Sequence, residues 1–148
     1  MKSSIFNQRI HLASALLAVI GFIDSSYLLW IKFSQNQSLC FVGVGDCISV
    51  NNSKYSEWFG IPIAVIGMTG YLVIFLLIML EQRNHFMESN GLILQFGATL
   101  IGVIFSVYLT YIEVAVLRTI CPFCVFSAII MTTIFIITII RLTRNQTI

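Results

Sequence analysis

The sequence predicts an all-α integral membrane protein, a four-transmembrane-helix bundle whose long first loop contains a short half-helix. Three observations predict it. Hydrophobic residues fill 58% of the 148 positions and charged residues 9%, where a soluble domain has about a quarter charged. Mean hydropathy is +0.96. The apolar residues gather into four runs, 11–31, 61–80, 91–117 and 122–140; at ~1.5 Å per residue, ~20 residues cross a ~30 Å hydrocarbon core. Backbone groups in lipid must bond within the segment, so all four runs read as helices. Together they form one membrane domain, 1–148. A net charge of +2 built from few groups gives no support to nucleic-acid binding and leaves membrane lipid as the surroundings.

The first run comes after Lys2 and Arg9, the arrangement of a signal peptide. Its apolar residues continue through Tyr27-Leu28-Leu29-Trp30-Ile31 with no A-x-A cleavage site, so it reads as a retained helix. The loop after it holds Cys40 and Cys47 around Phe41-Val42-Gly43-Val44-Gly45-Asp46. Two glycines let this segment fold back; Gly43-x-Gly45 lacks the strand-turn-helix context of a nucleotide fingerprint. Asn52 or Ser53 is expected to cap a short helix ended by Gly60, with Trp58 and Phe59 anchored at the membrane interface. His85 falls in the short loop between the second and third runs and reads as solvated. Asp24 and Glu113 are carboxylates inside apolar runs, which default to functional hypotheses. Each can relay protons or pair with hydroxyls between helices. Tyr108 and Tyr111 read either as pocket residues or, more commonly, as packing aromatics.

The fourth run opens on Cys121-Pro122-Phe123-Cys124. Cys121 suits the N-cap, Pro122 the N1 position and Cys124 the N3 position, where free N–H groups and the helix dipole favour a thiolate. A C-x-x-C pair is the compact dithiol of disulfide exchange. A four-thiolate zinc site is the competing reading, but six residues separate Cys40 from Cys47 rather than the usual two to four. No metal is expected. With both termini inside, Lys2, Arg9, Arg83, Arg141 and Arg144 are cytoplasmic and Lys32, Lys54 and Arg118 exoplasmic, a bias of five to three that satisfies the positive-inside rule. All four cysteines then face the exoplasmic side, where disulfides persist.

These residues resemble the vitamin K epoxide reductase family, particularly its short bacterial members. The resemblance rests on Gly21-x-x-x-Ser25-x-Tyr27-Leu28, on Cys40 and Cys47 with Ser53 six residues later, and on Phe59-Gly60-Ile61-Pro62. It rests also on Tyr108-Leu109-Thr110-Tyr111-Ile112-Glu113 and Ile120-Cys121-Pro122-Phe123-Cys124-Val125. It implies a bundle around a quinone (ubiquinone, menaquinone or vitamin K), with Cys124 the sulfur that reacts with it and Cys121 the partner joined by a loop cysteine. Candidate quinone contacts are Cys124, Phe105, Leu109, Ile112 and Glu113. Cys40 and Cys47 are expected to take electrons from a reduced thioredoxin-fold protein, with Cys47 passing them to Cys121, and Ser53 to position the loop or hydrogen-bond near the redox centre. The fused thioredoxin-like domain of many members is expected to be absent here, with a separate DsbA-like partner acting in trans in a bacterial cytoplasmic membrane. Alternatives are a vitamin K epoxide reductase of the endoplasmic reticulum and a non-enzymatic four-thiolate metal protein. A DsbB-type bundle fits less well, because it carries C-x-x-C in its first loop.

Overall fold

Four long helices dominate the computed structural model, which describes residues 2–34, 50, 53–81 and 85–146, with side chains at 8–34, 50, 53–81 and 90–144. They are α1 (Lys2–Ser34), α2 (Ile63–Glu81), α3 (His85–Tyr111) and α4 (Pro122–Gln146). A π-helical segment, Ile112–Leu117, continues α3, and a two-stranded ribbon, β1 (Glu57–Trp58) with β2 (Ile61–Pro62), precedes α2. All four helices are long and apolar enough to cross a membrane. Most of them run past the sequence-predicted apolar runs, α1 beginning at Lys2 and α4 ending at Gln146. A hydropathy run ends where lipid ends, whereas a helix ends where its backbone loses partners.

Extensive contacts join α1 to α2, α2 to α3, α3 to α4 and α4 back to α1, closing a ring. Neighbours are antiparallel: Gly21 lies against the Tyr71 ring and Gly67 against Ser25 on α1–α2, while Gly102 lies against Met131 on α3–α4. The packing is inside-out relative to a soluble bundle. On α1 the buried face is His11, Ser14, Ala15, Ala18, Gly21, Asp24, Ser25, Leu28 and Ile31, spaced by threes and fours and rich in small and polar residues. Leu12, Leu16, Ile20, Ile23 and Trp30 point outward. Lipid is as apolar as leucine, so helices associate through close packing and interhelical hydrogen bonds. A Cβ on Gly21 would come within 2.7 Å of Tyr71 Cδ1. Glycine is what lets that aromatic ring lie on α1.

At the end of the bundle nearest the termini, Arg141 ties all four helices together. It donates to Gln95 Oε1 on α3 (3.1 Å), to His11 Nε2 on α1 (2.8 Å) and to Glu81 Oε1 on α2. Gln95 donates in turn to Thr138 on α4 at 3.2 Å. Arg141, counted among the cytoplasmic charges, has a side chain 5% exposed and paired with Glu81.

The helix expected between Asn52 or Ser53 and Gly60 is corrected over the residues described. Residues 53–62 form turns and the ribbon, in which Trp58 pairs with Ile61. The two residues between them, Phe59 (φ 53°) and Gly60 (φ 79°), are both left-handed, the signature of a type I′ hairpin. Gly60 therefore turns a hairpin instead of ending a helix. Lys32 Nζ fastens the ribbon to the end of α1 through Glu57 Oε1 (2.9 Å) and Ser56 Oγ (3.2 Å). Val50 is helical, and the segment 35–49, with Cys40 and Cys47, lies outside the described residues.

Candidate active site

Cys121 ends the connection from the π-helical segment, and its carbonyl accepts the Val125 N–H (3.1 Å), the first bond of α4. It is therefore the N-cap, with Pro122 at N1, where a missing N–H is harmless, and Cys124 at N3. Both thiols are free. Cys121 is 1% exposed, in a buried cluster with Leu28 and Ala64 against which Val50 packs. A hydrogen bond from Cys124 holds the Cys121 thiol below the ordinary cysteine range; burial opposes it, backbone N–H groups of Cys124 and Phe123 assist, and the Glu113 charge opposes. Thiolate character thus falls on Cys121, the residue at the head of the helix.

Glu113 comes from the π-helical segment. Its carbonyl accepts the N–H groups of Arg118, a left-handed residue (φ 50°, ψ 32°), and of Thr119 (3.1 Å), which closes the segment. Its carboxylate Oε2 accepts the Cys121 N–H at 3.2 Å and the group also bonds the Cys124 thiol. Glu113 is 4% exposed. The sequence reads this stretch as plain helix, since Ile112 to Leu117 holds no glycine, proline or other breaker.

A cavity of about 270 Å³ lies inside the bundle at the cysteine end. Cys124, Phe105, Leu109, Ile112, Glu113 and Ser53 all border it, and Cys121 does not. Other walls are Gly67, Gly70 and Tyr71 on α2, with Ser127 and Met131 on α4. The volume lies near the low end for small-molecule pockets, and a mostly apolar wall with a few polar groups is their usual composition. Sequence reasoning missed Tyr71 and Ser127. Tyr71 Oη donates to the Ser127 carbonyl (2.8 Å) and lies 2.9 Å from its hydroxyl, one turn beyond Cys124. Trp58, expected first as an interface anchor and less as a lid over a pocket, borders the cavity and stacks on Phe105 at 6.1 Å.

The remaining candidates have smaller or different roles. Ser53 Oγ donates to the Val50 carbonyl (2.8 Å), pinning the turn after the loop. Asp24 is buried on α1 outside the cavity wall, and its Oδ2 has no hydrogen-bond partner among the described residues. Tyr108 and Tyr111 are 55% and 66% exposed on the outer surface, so they neither line the cavity nor pack between helices. Cys40, Cys47 and the His85 side chain lie outside the described residues.

The chain is similar to known proteins along most of its length. It matches the sequence model of the vitamin K epoxide reductase family over residues 12–139. It is also 33% identical over 122 residues to thiol-disulfide oxidoreductase LTO1 of Arabidopsis thaliana, an alignment covering 79% of this chain and 32% of that protein. The chain thus spans about a third of the length of that relative. With the family match running from the second turn of the bundle's first span to the last turns of its fourth, the chain belongs to the vitamin K epoxide reductase family.

Proposed function

We propose that this chain is a membrane thiol–disulfide oxidoreductase that carries electrons from a dithiol protein to a quinone. The observation that carries the reading is the split environment of its C-x-x-C pair. Cys124 borders an apolar cavity inside the bundle, while Cys121 lies outside its wall in a buried cluster with Leu28 and Ala64, against which Val50 packs. Three peptide units separate Val50 from Cys47, a tether of at most ~11 Å. That supports Cys47 as the loop sulfur that exchanges with Cys121, and leaves Cys40 for contact with the partner. Family membership and the name of the LTO1 relative support the same chemistry.

The steps balance. A reduced thioredoxin-fold partner, DsbA-like in type, gives two electrons and two protons to the Cys40–Cys47 disulfide and becomes a disulfide itself. Exchange through Cys121 moves oxidation outward and leaves Cys121 and Cys124 as thiols. These form a disulfide as one quinone becomes quinol, taking up two electrons and two protons. Cys121, with its depressed pKa, is the better leaving and attacking group of the pair. All four cysteines acting in an exoplasmic compartment is part of this proposal.

The test is purified protein in micelles with a reduced DsbA-like partner and either ubiquinone or menaquinone. We expect quinol to appear in step with partner disulfide, one for one, and to stop in Cys121→Ala. Partner oxidation with neither quinone consumed would refute the reading.

A further inference from the structure

Resting on that reading, we propose that Glu113 is a catalytic acid–base residue: its carboxyl group takes the proton of the Cys124 thiol and delivers it to a carbonyl oxygen of the quinone in the cavity. Its surroundings point to this role. The carboxyl group borders the same cavity as Cys124 and is bonded to that thiol. Its carboxyl group accepts the Cys121 N–H and shares the single Cys124 S–H with the Cys121 sulfur, so its donors are the redox motif's own groups. Among the described residues no ion pair includes it; a carboxylate kept only for packing would be expected to have a cation, as Glu81 has Arg141.

The backbone supplies independent support. An α-helix advances ~100° per residue, so one extra residue in a π turn rotates the rest of the helix by about that much. The π-helical segment Ile112–Leu117 carries Glu113 at its second position and is closed by Glu113's own carbonyl. Irregular turns of this kind concentrate at functional sites, because they trade helical hydrogen bonding for side-chain placement. Here the side chain placed is the one that reaches the dithiol.

The proton count requires such a group. When the Cys121–Cys124 bond forms, both sulfurs lose a proton and the quinone gains two. Cys121 is the sulfur already favoured as thiolate, so its proton passes to bulk water before the bond forms, and bulk water returns the second proton to the quinol. Cys124 must lose its proton beside an apolar cavity, and the base bonded to it there is Glu113. Glu113 accepts the proton, gives it to the oxygen, and ends each cycle as it began.

Glu113→Gln separates this role from simple capping, since the amide oxygen still accepts the Cys121 N–H but cannot exchange a proton. The assay is quinone reduction by purified protein with dithiothreitol as reductant and a short-chain ubiquinone as acceptor, across pH. General acid–base catalysis contributes ~10²–10⁴-fold, so we expect kcat to fall by at least ~10²-fold with KM little changed and the pH profile flattened. Glu113→Asp, which keeps a carboxyl group, should recover much of the rate with a shifted profile. Wild-type kcat and pH profile in Glu113→Gln would overturn the proposal. If Glu113→Gln fails to fold, Glu113→Asp decides: an unshifted profile overturns it. A wild-type protein that reduces no quinone instead sinks the functional reading itself.

Discussion

Gly70 offers a way to close the cavity without disturbing the bundle. It lies on the cavity wall in the middle of α2, and beyond its own helical turn no atom of the described residues comes within 4 Å of where its Cβ would stand. Gly70→Phe therefore adds an aromatic ring to open space. A cavity of ~150 Å³ holds one benzene, so a phenyl ring leaves roughly 120 of the 270 Å³. That remainder cannot admit a quinone, which is a six-membered ring bearing two oxygens and further substituents. The same change replaces a poor helix former by a better one, worth a few tenths of a kcal/mol, and buries apolar surface. Stability and activity should thus move in opposite directions. In dithiothreitol-driven quinone reduction, KM should rise at least tenfold, about 1.4 kcal/mol of lost binding, while the midpoint of thermal unfolding in micelles holds or climbs. Gly70→Ala, a methyl in open space, should leave both nearly unchanged. Wild-type KM in a well-folded Gly70→Phe would show that the reacting quinone does not use this cavity.

Two further predictions address the ends of the bundle. Arg141→Leu strands the Glu81 carboxylate and the Gln95 amide oxygen in the interior, which should cost about 3–5 kcal/mol in unfolding by denaturing detergent; the double variant with Glu81→Leu should recover most of it, because an apolar pair needs no compensation. A double variant as unstable as the single one contradicts the unpaired-charge account. At the other end, the Cys124 hydrogen bond lowers the Cys121 pKa and the Glu113 charge raises it. The pH midpoint for alkylation of Cys121 by a small reagent, monitored by mass spectrometry, should therefore lie below the ordinary thiol range. It should climb in Cys124→Ala and drop further in Glu113→Gln; equal midpoints in wild type and Cys124→Ala would rule out the hydrogen bond as its cause.

Span count and the position of the dithiol were legible because lipid imposes them. Apolar length is a physical requirement of crossing a bilayer, and a Cys-Pro pair at the head of such a run fits only a helix start. What the sequence hid was which face of each helix turns inward. Hydrophobic periodicity marks the core when the solvent is water, but on α1 the buried positions are Ser14, Ala18, Gly21 and Ser25 while Leu12, Leu16 and Ile23 face lipid. For a related reason the sequence does not show that the Arg141 guanidinium is buried and bonded to three other helices. Tyr71 and Ser127 escaped notice because their pairing spans 56 positions and exists only after α2 and α4 meet. The hairpin at Phe59-Gly60 could have been found from its aromatic residues and glycine, but the same letters also suit a helix stop.

The two polar centres of this bundle divide its labour by chemistry. The Arg141 cluster satisfies one charge with its opposite and spreads the remaining bonds over all four helices, so its effect is to fix helix positions. Near the dithiol the arrangement is reversed. Glu113 has weak thiol and backbone donors in place of a cation, Tyr71 is held by a serine rather than a charge, and both border the cavity. A carboxylate bonded to a thiol and a backbone N–H can change its protonation at little cost, whereas one locked to a guanidinium cannot. The clamp at one end is what permits the other to be built loosely around a cavity. Residues tolerated at the dithiol end are then those whose hydrogen bonds can be exchanged, and that criterion selects Glu113, Cys121 and Cys124 together rather than any one of them alone.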